Sequence, residues 1–272
     1  MKILDNLLKI FVIAFIAFIY LPALLVILLS FEKSSSIALP ITGFTLDWYI
    51  KKPVGNETPA FISLKYDYRF WDALRNSVYV SFATALLTGV LVTLCALALR
   101  HRVRGRDVLF YVLLLGFIAP GVMVGLGNTF LYSLLGLEKT FWSVVLINVA
   151  YIVPFGLVLM MARFDPDLME YEQAASVLKA SSVNVFRNVT LPLIRWEVIS
   201  ATIFGFLLSW GELVRTQFML KGTGTLSVFI YTQLSVYPLT PKWYAAGTLI
   251  SVIAFVGLAI FGFILSRGHR SQ

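Results

Sequence analysis

A polar cluster stands at the end of one of the chain's long apolar runs, in the stretch "SWGELVR". It consists of Ser209, Trp210, Glu212 and Arg215. Glu212 and Arg215 are three positions apart, so on a helix they share a face and can pair. The spacing fits an ion pair near one end of the run. It equally fits the lining of a passage in which Glu212 meets a cationic or amine-bearing solute and Trp210 offers an aromatic face.

Other polar residues in the apolar runs are of second rank. Asn128 and Asn148 are candidates for the same passage, although a hydrogen bond between helices is the interpretation we favour. His101 and His269 are far apart and have no companion ligands, which predicts no metal site. The chain has no nucleophile–base pair, and "GTGTL" at Gly222 lacks the lysine of a phosphate-binding loop. We therefore expect no enzyme activity and no cofactor bound by this chain.

Composition indicates the environment. Of 272 residues, 59% are hydrophobic and only 13% are charged, with a mean hydropathy of +0.85. Soluble domains have about a quarter charged residues. Uncharged runs of about 18 residues or more, each a candidate bilayer span, recur along the chain. Cys95 lies in such a run, which predicts a small buried side chain and no disulfide. The sequence predicts an all-α, polytopic membrane protein.

Six membrane-spanning helices are predicted. Pro22, Pro120 and Pro154 fall inside them, and we expect each proline to kink its helix without breaking it. We expect a single transmembrane domain over 1–272, with a core at about 70–265. The predicted spans are 10–31, 77–99, 108–130, 141–161, 198–218 and 244–265.

Positive charge predicts the orientation of these spans. The tails and loops on one side of the predicted spans hold twelve of the 22 Lys and Arg residues. The long loop 32–71 on the other side has acidic residues beside its basic ones. Because Lys and Arg are retained in the cytoplasm, both termini and the loop 163–194 are expected there. The twelve residues are Lys2, Lys9, Arg100, Arg102, Arg104, Arg106, Arg163, Lys179, Arg187, Arg195, Arg267 and Arg270.

The external loop 32–71 is rich in aromatic residues, in "DWYIKK" and "YDYRFW". Trp and Tyr collect at the level of the lipid headgroups, so these residues fit an interfacial belt. They fit equally a contact surface for an external partner, and the sequence leaves both interpretations open.

The stretch "EYEQAASVLKASSVNVFRNVTLPLI" (170–194) is unexpectedly polar between two apolar runs. Its spacing predicts a helix over 171–179, with Ala174, Val177 and Leu178 on one face and Glu172, Ser176 and Lys179 elsewhere. Ser181 or Ser182 can cap a second helix with an apolar face of Val185, Phe186 and Val189. We expect Pro192 to end this surface element. Residues alone favour an amphipathic loop at the membrane surface.

The same stretch resembles the EAA loop of ABC importer permeases. That family has Glu-Ala-Ala, three residues, Gly, nine residues, then Ile or Val, any residue and Leu-Pro. Here Gln173-Ala174-Ala175, Lys179 and Val189-Thr190-Leu191-Pro192 stand at that spacing. Gln173 replaces the family's Glu, with Glu172 adjacent. Lys179 replaces its Gly, which predicts a more ordinary backbone there or a helix longer by one residue.

The resemblance extends along the chain through "FTLDWY", "ALRNSVYVSFATALLTGVLVTLCALALRHR" and "IAPGVMVGLG". It is strongest to the second permease subunit of spermidine/putrescine-type importers. It implies a bacterial inner-membrane subunit whose loop 163–194 is a coupling helix seated on a separate ATPase. It also implies a second, different permease chain, an ATPase dimer that holds ATP and Mg²⁺, and an external solute-binding protein. The implied ATPase-coupling residues are Glu172, Gln173, Ala174, Ala175, Lys179, Ala180, Leu191 and Pro192.

The solute class follows less directly. The resemblance implies two adjacent acidic residues where this chain has Gly211 and Glu212, and Arg215 can neutralise the one that is present. We expect a small amine-bearing solute, either a polyamine or an amino-acid-like compound. The alternative function is a secondary transporter that works without an ATPase. Such proteins often have inverted repeats, and 11–100 shows no convincing repeat later in the chain.

Overall fold

The computed structural model describes residues 2–37, 40–55, 57–100, 104–162, 164, 167–220, 222 and 224–269. Some residues used above lie outside these ranges: His101, Arg102, Arg163 and Arg270, with 38, 39 and 56 of the external loop and 165–166 of the coupling loop. Within the described ranges the regular structure is helical, apart from an isolated β-bridge between Glu32 and Phe44. The predicted all-α class is confirmed.

The helices follow one another along the whole chain. The first half has α1 (Lys2–Leu29), α2 (Asp47–Ile50), a 3-10 turn (Leu64–Tyr66), α3 (Tyr68–Leu99), α4 (Arg106–Ile118), α5 (Gly121–Leu134) and α6 (Phe141–Met161). The second half has α7 (Leu168–Val177), α8 (Ser182–Val185), a π turn (Phe186–Thr190), α9 (Leu191–Leu193), α10 (Arg195–Trp210), a 3-10 turn (Thr216–Phe218), α11 (Leu226–Val236) and α12 (Pro241–His269).

The chain forms two compact units, Met1–Trp71 with Ile230–Gln272, and Asp72–Phe229. In the first unit α1 packs along α12, and α12 also contacts α2 and the first 3-10 turn. Trp48, one of the aromatic residues of the external loop, is buried, and its indole N–H donates to the carbonyl of Glu32 at 2.7 Å. The external loop is therefore partly packed into its own unit.

An ion pair joins the end of the external loop to the start of α12. Lys242 Nζ lies 2.6 Å from Oδ2 of Asp67, and the two side chains are 0% and 4% exposed. Burial lowers the pKa of Lys242, and the Asp67 carboxylate acts in the opposite direction. Asp67 Oδ1 also accepts the backbone N–H of Arg69 at 3.1 Å. This cap explains why α3 begins at Tyr68, well before the predicted start of the second span at 77.

In the second unit α6 is the central helix and packs against α4 and α10. Its buried residues Val144, Val145 and Leu157 share a core with Val92 of α3. Glycine permits close approach of α3 and α10: a methyl group at Gly205 would lie 3.2 Å from the Cα of Ala85. Small residues at such crossings let helices pack tightly where water does not drive association.

Three helices, at Asp5–Leu29, Tyr68–Leu99 and Phe141–Met161, are long and apolar enough to cross a membrane. The number rises to five if each of two bent helix pairs is one span. The fourth predicted span coincides with α6, and Pro22 and Pro154 lie inside continuous helices as expected. The count of six spans stays a prediction, and so does the single domain over 1–272.

The prediction for Pro120 is wrong. The predicted span 108–130 is two helices, α4 and α5, at 100° to each other. Ala119 is extended, with φ −60° and ψ 131°. Proline disfavours the helical conformation of the residue before it and donates no N–H. Here the chain turns at that point instead of kinking.

The predicted continuous span 198–218 is also wrong. Helix α10 ends at Trp210, and the chain continues as an irregular segment with a 3-10 turn. The Glu212 side chain accepts the backbone N–H of Arg215 at 2.9 Å. In a continued helix that N–H would bond the carbonyl of Gly211, so the side chain stabilises the alternative turn. Helix α11 was not predicted.

Candidate functional site

The segment 211–219 after α10 lies against α5 and α6. The carbonyl of Phe218 accepts hydrogen bonds from Oγ1 of Thr129 at 2.9 Å and from Nζ of Lys139 at 2.7 Å. A methyl group at Gly125 would lie 2.3 Å from the Phe218 ring, so only glycine allows α5 to come this close. These contacts hold the segment that carries Glu212 and Arg215 in a defined position.

Glu212 and Arg215 form the ion pair that their spacing predicts, although outside a helix. Nη1 of Arg215 lies 3.1 Å from Oε2 of Glu212, and the side chains are 9% and 11% exposed. A charge pair this deeply buried interacts more strongly than one in water, but both members have lost most of their hydration. Each member therefore depends on the other.

Arg215 packs on the first of a series of aromatic rings. Its guanidinium carbon lies 3.5 Å from the ring centroid of Tyr151 on α6. Tyr151 stacks on Phe117 of α4 with centroids 5.5 Å apart, and Phe117 contacts Phe155 of α6 at 5.3 Å. Phe155 in turn stacks on Phe204 of α10 at 4.7 Å. This series of rings fixes Arg215 relative to three helices. The sequence does not predict this series, because the rings belong to separate apolar runs.

The other members of the polar cluster are buried. Ser209 and Trp210 are 4% and 8% exposed, and Trp210 stacks on Phe206 at 5.8 Å. Asn148 Nδ2 donates to Oγ of Ser209 at 3.1 Å, and its Oδ1 accepts from Oγ1 of Thr216 at 3.3 Å. Asn148 thus forms a hydrogen bond between α6 and α10, which is the interpretation that the sequence favours.

Asn128 behaves differently from Asn148. Its Nδ2 donates to the carbonyl of Val124 in its own helix at 2.9 Å, so the favoured interhelical bond is not formed by that amide group. Asn128 instead lines a cavity of about 360 Å³. The other polar side chains of the wall are those of Tyr132, Ser143 and Tyr151. Among the described residues that line this cavity, none is charged.

The turn at Lys179 corrects a second prediction. Lys179 has φ +61°, the left-handed conformation that glycine adopts most easily. The N–H of Lys179 donates to the carbonyl of Ser176, and that of Ala180 to the carbonyl of Ala175, at 3.0 and 3.3 Å. These two bonds define a Schellman motif. The chain therefore keeps the glycine-type turn with a lysine, and the expected ordinary backbone is wrong.

Beyond this turn, two short helices, α8 and α9, joined by the π turn, stand in place of the predicted second helix. The Ser181 side chain accepts the N–H of Asn184 at 3.4 Å and so caps α8, as one of the two predicted caps. Pro192 lies within the short helix α9, and the chain bends by 70° between 182–193 and α10. The first helix of the loop covers Leu168–Val177 rather than 171–179.

Arg100 at the end of α3 anchors the loop 163–194. Its Nη2 donates to both carboxylate oxygens of Glu172, at 2.9 and 2.7 Å, and both side chains are 15% exposed. Oγ1 of Thr190 donates to the same carboxylate. Glu172 thus joins α3, α7 and the end of the π turn. The Lys/Arg pattern predicts Arg100 and Glu172 on the same side of the membrane, but it does not predict that they pair.

The loop 163–194 has three strongly exposed apolar side chains beside its polar ones. Val177, Leu178 and Val183 are 81%, 83% and 73% exposed. We call these three residues the apolar tip. Ala174 is exposed and Ala175 half-buried on α7 next to it, and Gln173, Lys179 and Ala180 are exposed as well. Exposed apolar side chains that cluster on a polar loop are typical of a contact surface.

A solved structure has a similar fold over almost the whole chain. A chain of a bacterial ABC transporter involved in the import of the acidic polysaccharide alginate superimposes with a TM-score of 0.66. The match covers 98% of this chain and 96% of that one, at 14% sequence identity. At that identity the likeness concerns the fold alone. The fold is that of an ABC transporter membrane subunit.

Sequence relatives identify the family, although no protein-family model matches the chain. The putative 2-aminoethylphosphonate transport system permease protein PhnV of Salmonella typhimurium is 31% identical over 225 residues, 80% of this chain and 78% of that protein. The spermidine/putrescine transport system permease protein PotC is 26% identical in Haemophilus influenzae over 262 residues, 93% of this chain and 94% of that one. The chain belongs to the permease subunits of ABC importers.

Membership of this family decides between the two functions that the sequence left open. The relatives are permease components of transport systems, so the alternative of a secondary transporter that works without an ATPase is wrong. The chain is a multi-pass membrane protein with several apolar helices.

Proposed function

We propose that the chain forms half of the translocation pathway of an importer for a small amine-bearing solute, either a polyamine or an amino-acid-like compound. The other half is a second, different permease chain. Two ATPase subunits bind from the cytoplasm, and a solute-binding protein delivers the solute from outside. The chain lies in the bacterial inner membrane with six spans and with both termini in the cytoplasm.

The apolar tip is the observation that carries this proposal. Val177 and Leu178 end α7, and Val183 follows beyond the turn, all more than 70% exposed. Burying such side chains against a partner gains roughly 1.5–3 kcal/mol each. A loop between two apolar runs that is tied down from within and apolar outside suits a protein partner. An amphipathic loop that simply rests on lipid does not need the ion pair to α3.

Coupling follows from the anchoring of this loop. Closure of the ATPase dimer moves the apolar tip, and the ion pair of Glu172 with Arg100 passes the movement to α3. Thr190 passes it to the chain that leads into α10. Because α3 and α10 pack closely at Gly205, both respond together. Besides the apolar tip, the residues that contact or position the ATPase surface are Glu172, Gln173, Ala174, Ala175, Lys179, Ala180, Leu191 and Pro192.

Two observations support an amine-bearing solute: the solutes that the relatives are named for, and the carboxylate of Glu212 in the polar cluster. Spermidine, putrescine and 2-aminoethylphosphonate, which give the relatives their names, all carry an amino group. Glu212 is the acidic member of the cluster, and Ser209, Trp210, Arg215, Asn128 and Asn148 are the further candidates for the pathway.

Co-purification of an ATPase subunit with the tagged chain tests the proposal. Val177→Asp with Leu178→Asp places two charges in the apolar tip, and we expect the ATPase to be lost from the complex. Ser176→Asp is the control, because it adds a negative charge, one instead of two, next to the apolar tip at an exposed polar position. Retention of the ATPase by the double variant, at the level of the control, would contradict the proposed docking surface.

A further inference from the structure

The Glu212–Arg215 pair presents no net charge to a solute. With side chains 9% and 11% exposed, the two groups compensate each other at 3.1 Å. A polyamine that approached this pair would meet Arg215 as well as Glu212, and like charges at short range repel each other. Breaking the pair without a replacement leaves two buried charges uncompensated. A solute is therefore accepted here at low cost only if it replaces both partners at once.

We infer that this pair opens for a zwitterionic solute, whose anionic group takes the place of Glu212 on Arg215 while its amine takes the place of Arg215 on Glu212. This rests on the proposed function and narrows its solute class to compounds with one amine and one nearby anion, such as an amino acid or an aminophosphonate. Glu212 and Arg215 therefore each have one partner of opposite charge both before and after the exchange.

The anionic group would lie between Arg215 and the first turn of α5. The α5 helix begins at Gly121 after the bend, with Pro120 as its N-cap and no side chain capping it. The N–H groups of its first turn have no partner within the helix, and the helix dipole favours an anion there. A methyl group at Gly121 would lie only 3.2 Å from Cζ of Arg215, so this helix end and the guanidinium are in contact.

Arg215 also has an unused donor. Its Nε is buried and has no hydrogen-bond partner among the described residues, although Nη1 bonds Glu212. A buried donor without a partner is destabilising by roughly 1–3 kcal/mol. An anion with two or three oxygens can accept from Nε and from Nη2, whose N–H groups point to the same side of the guanidinium, and from the α5 amides as well. Glu212 does not satisfy this donor in the described conformation.

Space for the solute lies one residue away from the pair, since neither Glu212 nor Arg215 lines the cavity but Tyr151 does. Tyr151, on whose ring Arg215 rests, is part of the wall of the cavity of about 360 Å³. The lining contains no charged residue among those described, so the cavity itself does not favour a cation over a zwitterion. Discrimination by charge therefore falls to Glu212 and Arg215.

The test measures binding of two probes to the purified full-length chain, with the subunits that co-purify with it, in lipid nanodiscs. The probes are 2-aminoethylphosphonate, a zwitterion, and putrescine, a dication. Calorimetric titration of the wild-type chain should give binding of the zwitterion about 30-fold or more tighter than that of the dication. Equal binding of the two probes, or tighter binding of putrescine, overturns the inference without any variant.

Two variants test the exchange itself. Arg215→Gln leaves Glu212 free, so the preference should shift towards putrescine by about 30-fold or more. Glu212→Gln should weaken binding of 2-aminoethylphosphonate without a gain for putrescine. Gln217→Ala, in the same segment but with a hydrogen bond only to the carbonyl of Val214, is the control and should keep the wild-type ratio. An unchanged ratio in Arg215→Gln overturns the exchange.

The proposed function has a separate readout in the same preparation. If the ATPase subunit co-purifies and neither probe is preferred, the inference fails and the importer function stands. If no ATPase subunit co-purifies with the wild-type chain, the coupling part of the proposed function fails.

Discussion

Arg100 and Glu172 are 72 positions apart in the chain, and Nη2 of Arg100 donates to both carboxylate oxygens of Glu172 at 2.9 and 2.7 Å. This pair ties the end of a long apolar helix to the loop that carries the EAA-like pattern. Glu172, next to the EAA-like pattern, thus has a partner inside its own chain. A loop anchored in this way can transmit force because it does not move independently of α3.

Arg100→Met should therefore destabilise the coupling loop. Glu172 would keep Thr190 as a donor but lose its charged partner, and hydrogen bonds to a charged group are worth about 2 kcal/mol. Thermal unfolding in detergent should show the loss, and uptake should fall with it. The double variant with Glu172→Gln removes the uncompensated charge and should recover part of the stability. No recovery in the double variant would argue against a direct pairing of the two residues.

The left-handed turn at Lys179 gives a prediction of opposite sign. A side chain at φ +61° is strained by about 1 kcal/mol relative to glycine. Lys179→Gly should raise the unfolding temperature while ATPase binding remains intact. Lys179→Ala keeps a Cβ atom and should give no such gain, so it is the control. Equal stabilisation by glycine and alanine would show that the backbone conformation is not the cause.

The sequence predicts α6 to the residue, because its apolar run is uninterrupted between a threonine cap and a polar segment. It does not predict the break at Pro120, since prolines inside apolar runs more often kink a helix than end it. The turn at Lys179 was missed for a related reason. Residue type gives a preference for φ, and the two Schellman hydrogen bonds after α7 outweigh that preference.

The sequence predicts the residue types of the candidate site, but it predicts few of the contacts between them. The spacing of Glu212 and Arg215 indicates the ion pair, but the stack of Arg215 on Tyr151 joins residues 64 positions apart. The same holds for Arg100 and Glu172. Contacts over such separations depend on how the helices pack against each other. The periodicity of one segment does not predict that packing.

The buried pair of Lys242 and Asp67 should contribute much more to stability than an exposed pair. Lys242→Met leaves Asp67 buried without its charged partner, which should lower the free energy of unfolding by about 3 kcal/mol. The control is Arg75→Met. Arg75 pairs with Asp72 at 2.9 Å, but the side chains are 61% and 40% exposed, and such pairs contribute about 0–1 kcal/mol. Similar losses in both variants, measured by chemical denaturation in detergent, would contradict this account of the first unit.

Cysteine labelling tests the proposed orientation. The background carries Cys95→Ala, which removes the chain's single thiol. A membrane-impermeant maleimide should label Val103→Cys only after the cytoplasmic face is opened, and Gly55→Cys in intact cells. Val103 lies outside the described residues and was chosen from the Lys/Arg pattern alone. Labelling of Val103→Cys in intact cells would reverse the topology.

Solute-stimulated ATP hydrolysis by the assembled importer, with Ala175→Asp in this chain, tests the central claim most directly. Ala175 is half-buried on α7 beside the apolar tip, so an aspartate there meets the partner surface, where an unpaired charge costs a few kcal/mol. For Ala175→Asp we predict normal membrane insertion but loss of the ATPase subunit and of solute-stimulated hydrolysis. Ser176→Asp should retain membrane insertion, ATPase binding and hydrolysis. Wild-type hydrolysis and ATPase binding with Ala175→Asp would contradict the assignment of this loop as the coupling element.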